Sequence, residues 1–193
     1  MKKISIISFL IIAVAFNFSA CKSEKKKETS TTEVKKSTAA FAVSNAKNDI
    51  NFIAYKTTEK VGVNGWFKKV NVISGGEGDS VKEAINNTEF SIPVSSLYTK
   101  DSSRDFKIKK SFFGIMSNTK LLSGKLMLTD DTNGVAKITM NGETKDVPFT
   151  YTIGGKVFNM KATMNINNWN AGAALASLNK ICEDLHKGAD AVS

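Results

Sequence analysis

Residues 145–166 read KDVPFTYTIGGKVFNMKATMNI, and their apolar side chains recur at every second position. Val147, Phe149, Tyr151 and Ile153 alternate with Pro148, Thr150 and Thr152. After a glycine pair, Phe158, Met160, Ala162, Met164 and Ile166 alternate with Asn159, Lys161, Thr163 and Asn165. A period of two is the side-chain repeat of an extended strand and fits no helix. The same alternation places Ile50, Phe52 and Ala54 on one face, Phe90, Ile92 and Val94 on another, and Leu122, Gly124, Leu126 and Leu128 on a third. One dry and one wet face per strand argues for antiparallel pairing. Turn signals separate the runs, at 74–79 (SGGEGD), 130–134 (DDTNG), 140–143 (MNGE) and 153–156 (IGGK). The last four long strands follow one another through short connections, as a meander. Closing such a sheet into a barrel removes its edges, so the expectation is a mainly β, antiparallel barrel.

Two stretches break the alternation. In residues 101–116 a Ser102–Asp105 pair has capping-box spacing, followed by Phe106, Ile108, Phe112 and Phe113 at near-helical intervals. This predicts a short helix near 102–113 lying against the barrel. In residues 168–188, Asn170 is placed to cap a C-terminal helix near 170–187, with Leu175, Leu178, Cys182 and Leu185 on one face and Gly188 just past its end. His186 falls in the last turn, where the helix dipole favours the cation. Cys182 sits in the apolar stripe and reads as a packed, inert thiol.

The N-terminus sets the compartment. Lys2 and Lys3 precede an apolar run from Ile4 to about Phe16, and small Ser19 and Ala20 precede Cys21. That is the layout of a secretory signal peptide, and the run is too short and wrongly flanked to span a membrane. Its ending resembles the bacterial lipoprotein signal, in which cleavage falls before the cysteine and the sulfur carries a diacylglyceryl anchor. Phe18 stands where leucine is usual in that signal. The resulting division is a signal peptide at 1–20, a lipidated Cys21 leading a tether at 21–38, and a domain at 39–193. Anchoring at Cys21 places the protein in the cell envelope, periplasmic or at the outer membrane or surface.

The tether is rich in Lys, Glu, Ser and Thr, a composition that buries too little surface to order itself. Charge follows the same division. The whole chain carries +9; removing Lys2 and Lys3 leaves +7, and six lysines against three glutamates in residues 22–38 hold +3 of that. The domain retains only about +4, too little and in the wrong compartment for nucleic acid. Enzyme signatures fail as well: no Gly-x-Ser-x-Gly elbow, no P-loop and no His-Glu-x-x-His occurs. Two cysteines and one histidine give no metal-ligand set, and no cofactor is expected. Asp130 and Asp131 fall in a turn signal, where solvation accounts for them.

Three blocks then carry a family resemblance: INFIAYKTTEKVGVNGWFKKV, FSIPVSSLYTKDSSRDFKIKKSFFGIM and MNINNWNAGAALASLNKICEDLHKG. In this order and spacing the chain resembles the YceI-like domain, and is similar to lipoprotein members of Bacteroidetes type. The resemblance implies a lipocalin-like, eight-stranded antiparallel barrel around an elongated apolar tunnel, associated with polyprenyl chains and other long amphiphiles and with no shared catalytic constellation. The family pattern continues into a short strand after the LHKG helix, whereas this sequence stops at ADAVS. The barrel would then close differently, or a truncated chain would leave one sheet edge open.

The residues themselves fit a carrier. An eight-stranded barrel is filled by side chains or holds one slim ligand. Candidate ligand contacts on the inner faces are Phe52, Phe67, Phe90, Ile92, Leu126, Leu128, Phe149 and Tyr151. Met140, Met160 and Met164 add adaptable surface for a flexible guest. Small Gly65, Gly124 and Ala162 leave room for a chain to pass. The same faces also suit an ordinary packed core. In GVNGWFKKVNVI (62–73), Val63, Gly65 and Phe67 share the inward face, while Asn64, Trp66 and Lys68 look out. Val70 and Val72 have the opposite parity, which predicts a bulge or bend at Lys68–Lys69. The expected function is binding a long apolar or amphiphilic molecule, polyisoprenoid or fatty-acid-like. The alternative is an envelope scaffold with a filled core.

Overall fold

A computed structural model describes residues 38–187, and every structural statement below concerns them. Cys21, the signal peptide and most of the tether lie outside the described residues. Eleven strands are described: β1 (Phe41–Ala42), β2 (Ile50–Lys56), β3 (Val61–Phe67), β4 (Asn71–Ser74), β5 (Glu77–Gly78), β6 (Glu89–Pro93), β7 (Leu97–Tyr98), β8 (Leu121–Leu128), β9 (Asn133–Met140), β10 (Glu143–Gly154) and β11 (Val157–Ala162). Helices α1 (Val81–Ile85), α2 (Ser102–Lys107), α3 (Gly172–Ile181) and α4 (Glu183–His186) punctuate them.

All the strands pair antiparallel. Six form one sheet in the order β11-β10-β9-β8-β6-β4, three form a second in the order β2-β3-β7, and β1 pairs with β5. The meander is therefore present, and the architecture is the mainly β, lipocalin-like class that the alternation and the resemblance implied. Among the described residues no ladder joins β11 to β2, so the large sheet curls as a half-barrel with an open seam. The chain passes between the two larger sheets at Lys68–Val70, where the parity change in the sequence called for a bend. A second irregularity follows inside the large sheet, where the β4–β6 register slips between Val72 and Ser74.

The core runs along the inner face from the Asn141 turn to Tyr151. Phe67, Ile92, Val94, Leu97, Ala136, Met140, Val147, Phe149 and Tyr151 come from the strands. Phe112, Phe113 and Met116 come from a π-turn and a tight 3-10 turn that continue α2, and Trp169, Ala171 and Ala174 from the approach to α3. Phe112 and Phe113 meet edge to face at 4.9 Å, a favoured aromatic geometry. Trp169 is 1% exposed, and its Nε1 donates to the Ile138 carbonyl at 2.9 Å, so burial leaves no polar atom unpaired. The Asn141-Gly142 hairpin closes this end, both residues having positive φ as such a turn requires. Asn141 accepts from the Ser117 amide and donates to the Trp169 carbonyl.

Three local expectations are corrected. The α2 cap is Asp101, whose carboxylate accepts from the Arg104 amide, one residue before the expected Ser102. Asp105 turns back instead to accept from the Thr99 amide and hydroxyl. In the helix run Ile108, Phe112 and Phe113 do pack inward, but Phe106 points to solvent. At α3, Asn170 has left-handed φ and ends the preceding 3-10 turn; its amide donates to Glu143, and the N-cap is Ala171. The buried stripe is Ala171, Ala174, Leu178 and Cys182, because only small residues let the helix approach the Phe112 turn closely. Leu175 and Leu185 are left outside it.

Candidate functional site

Strand register fixes which side chains share the concave face, since directly opposed residues point the same way. Phe149 faces Gly134 on β9 and Ala162 on β11; Tyr151 faces Met160; Ile153 faces Phe158. On the other side, Leu128, Leu126 and Gly124 oppose Gly134, Ala136 and Ile138, and Phe90 and Ile92 oppose Gly124 and Leu122. In the smaller sheet Phe52 opposes Gly65 and Ile50 opposes Phe67. The structure thus brings ten of the eleven expected contacts onto inward-facing positions of the two sheets. Met164 follows the end of β11.

Their burial divides them. Phe67, Ile92, Met140, Phe149 and Tyr151 are buried; Phe52, Phe90, Leu126 and Leu128 are half-buried against the same cluster. Met160 and Met164 are 38% and 43% exposed, with Ile153 at 39%. The concave face is dry and filled toward the Trp169 end and uncovered along the β10–β11 hairpin. Tyr151 marks the boundary: its ring lies 5.3 Å from that of Phe158, and its hydroxyl donates to the Asp130 carbonyl. Asp130 in turn accepts from the amides of Thr132 and Asn133 and from both their side chains. Those hydrogen bonds, the Thr132 amide first, hold its carboxyl down to about 2. Asp131 pairs with Lys82, so this acidic pair organises a turn rather than merely being solvated.

The small residues do not all leave space. The Phe52 ring closes over Gly65, while a Cβ on Gly124 would stand 2.6 Å from the Lys137 carbonyl and 2.8 Å from the Phe90 ring. Neighbouring aromatics occupy the room that the sequence seemed to reserve for a guest. Ala162 alone of the three is exposed.

A second feature lies outside the expected set. A groove of about 370 Å³ runs along β3 and the loop before α2, lined by Lys56, Val61, Gly62, Val63, Asn64, Trp66, Thr99, Lys100 and Arg104. Arg104 lines it and donates to the carbonyl of buried Thr99, while Asp105, which is not part of the lining, accepts from the Thr99 amide and hydroxyl. Lys100 follows with a left-handed φ of 64°, and its ammonium stands 5.1 Å over the Trp66 ring. Trp66 also packs on Tyr98 at 6.2 Å, and Lys68 covers that ring. Lys56 donates to the Leu185 carbonyl. Its charge reaches His186, whose imidazole is held below its ordinary range by burial first, then by Lys56 and Lys107. The neutral form is favoured there, against the helix-dipole expectation. The alternation set Trp66 and Lys68 on the outward face; the grouping of Trp66 with Lys100 and Arg104 depends on the Thr99–Arg104 loop, which no strand period encodes.

The family model described as the YceI-like domain matches residues 24–189. The chain belongs to the YceI-like family. The match spans both grooved and apolar features and begins within the stretch read as tether. A comparison with curated proteins finds no match. Among solved structures, this YceI-like chain is similar to a polyisoprenoid-binding domain from Saccharophagus degradans implicated in plant cell wall breakdown. The TM-score is 0.50 at 12% identity, covering 72% of this chain and 85% of that one. It is also similar to BcnA of Burkholderia cenocepacia, with a TM-score of 0.47 at 20% identity, covering 64% and 82%.

Proposed function

We propose that this protein binds a long apolar or amphiphilic molecule, polyisoprenoid or fatty-acid-like, against the open part of its concave face. It acts by burial and without catalysis, in the cell envelope, tethered by a lipid on Cys21. The observation that carries the reading is the uncovered inner face of the β10–β11 hairpin. Ile153 and Met160 stay exposed on it beside buried Phe149 and Tyr151, with exposed Met164 just past the end of β11, where an apolar guest would remove apolar surface from water. β10 has 12 residues and spans roughly 40 Å, enough to lie along a chain of many carbons. Methionine side chains adapt to a flexible guest without a rigid mould. The polyisoprenoid-binding neighbour from Saccharophagus degradans supports the choice of ligand class, and the signal-like N-terminus supports the compartment.

The packed half of the interior favours one second reading, an envelope scaffold whose core is simply filled. Native mass spectrometry of the full chain, purified from membranes without delipidation, separates the two. A carrier shows a co-purifying long-chain compound beside the mass of the Cys21 lipid. A spectrum of the protein with no such compound, and no uptake of added decanol, leaves the scaffold.

A further inference from the structure

The groove on β3 straddles an edge. Val61 and Val63 have the inward parity of Phe67, whereas Asn64 and Trp66 have the outward one, and all four line the same groove. This is possible because β7 covers β3 only at Trp66 and Phe67. Beyond Gly65 toward Val61, that edge of β3 carries no strand among the described residues. Three cations line the groove, Lys100 and Arg104 from the loop before α2 and Lys56 from β2 opposite Val61, where its ammonium also donates to the Leu185 carbonyl, and no carboxylate lines it among the described residues. Arg104 is partly neutralised by Asp101 at 3.7 Å, while Lys100 pairs with no carboxylate among the described residues. Its left-handed backbone is uncommon for a residue other than glycine, asparagine or aspartate, and it sets the ammonium over Trp66.

We propose that this groove recognises the anionic head, phosphate or carboxylate, of the same amphiphile. The head sits between Lys56, Lys100 and Arg104, and the first carbons of the tail cross the bare β3 edge over Val61 and Val63 onto the inner face. Three cations lining one groove and an aromatic wall suit a compact anion followed by a hydrocarbon. A free anion would use the cations and leave the valines and Trp66 idle. The assignment rests on the proposed binding of a long chain and adds a head class to it.

The test uses the full chain with decyl phosphate, decanol and inorganic phosphate, below the concentrations at which the first two aggregate. Binding is followed by titration calorimetry and by the emission of Trp66; the second tryptophan, Trp169, is buried. Decyl phosphate should bind about tenfold more tightly than decanol at low salt, with the ratio shrinking as salt is added. Lys100→Asn with Arg104→Gln should bring that ratio close to one, and Arg104→Lys should restore most of it. Asparagine tolerates the left-handed backbone at 100, so the loop is kept. Lys145→Asn, at a lysine paired with Glu143 away from the groove, should leave the ratio unchanged. If the double variant does not fold, Lys56→Gln reads the same ratio and the same emission change, and Trp66→Phe reads the ratio by calorimetry alone.

Equal affinity for decyl phosphate and decanol in the unaltered protein overturns the head site and leaves chain binding standing. A preference that survives the double variant also overturns it, by placing the head elsewhere. Inorganic phosphate binding as tightly as decyl phosphate overturns the amphiphile and leaves a free-anion site. Failure of every decyl probe to bind overturns this assignment together with the binding function beneath it.

Discussion

The two halves of the concave face are made of the same material and end differently. Toward the Asn141 turn, Phe67, Phe112, Phe113, Met140 and Trp169 interlock and exclude water. Along the β10–β11 hairpin, Ile153 and Met160 continue the same alternation and remain exposed, as does Met164 just past the end of β11. The difference lies in what covers them. The π-turn after α2, the Trp169 loop and α3 all lie over the first half, whereas no described element covers the hairpin. A strand pattern fixes a shared face, and elements distant in sequence decide whether that face becomes core or surface. In this protein the uncovered part is where the proposed guest would lie.

The comparison is best broken at its most buried point. Trp169→Ala removes a side chain that is 1% exposed together with its hydrogen bond to Ile138. Urea unfolding should show a loss of about 3–5 kcal/mol; a loss below about 1 kcal/mol would mean that this end is not packed as described. A contrast between two small residues comes next. Gly124→Val drives a Cβ into the Lys137 carbonyl and the Phe90 ring and should cost about 1–3 kcal/mol. Ala162→Leu, on the open hairpin, should change stability by less than about 0.5 kcal/mol. Equal costs would erase the distinction between the halves.

Acid titration probes the boundary between them. The folded fold-state carboxyl of Asp130 lies near 2, below the ordinary value of about 3.9. Asp130 therefore contributes stability that is fully present above about pH 4 and is lost as pH falls toward 2. Asp130→Asn should lower Tm at pH 5, and its gap from the unaltered protein should narrow through that window. A gap independent of pH would show that the turn does not depend on the charge. The smallest effect is expected at His186. Its imidazole signals should titrate below the ordinary value of about 6.5, and Lys56→Gln should move them upward. Because the folded value is lowered, any stability His186 contributes is present above the ordinary value and fades as pH drops through the folded one. An upward-shifted His186 would remove the positive surroundings ascribed to the groove wall.

Much of this was legible in the residues. The meander, its turns, the outward Trp66 and the bend after Phe67 follow from period and parity, which are local. The helical segment at 102–113 was legible too, while the burial around it was not. Phe106 and Phe112 both have apolar spacing, yet only Phe112 meets α3. The leucine stripe held at 178 and misled at 175 and 185, which stay outside the core while Ala171 and Ala174 pack into it. The glycines misled in a similar way: Gly65 and Gly124 look like free space in a sequence, and Phe52 and Phe90 fill it. The β3 groove was hidden because its cations come from two separate stretches, β2 and the 99–104 loop, the second shaped by the Asp105–Thr99 hydrogen bonds. A hint lay in the Arg-Asp pair, whose acid and base both turn back onto the same threonine.

The central claim, that the uncovered hairpin face takes the apolar chain, is tested most directly at the methionines. With methyl-labelled methionine in the full chain, Met140 reports the packed half and Met160 and Met164 the open one. Adding decanol should shift the Met160 and Met164 methyl signals and leave Met140 in place. Shifts at Met140 with none at Met160 and Met164 would contradict the account, as would no shift at any of the three.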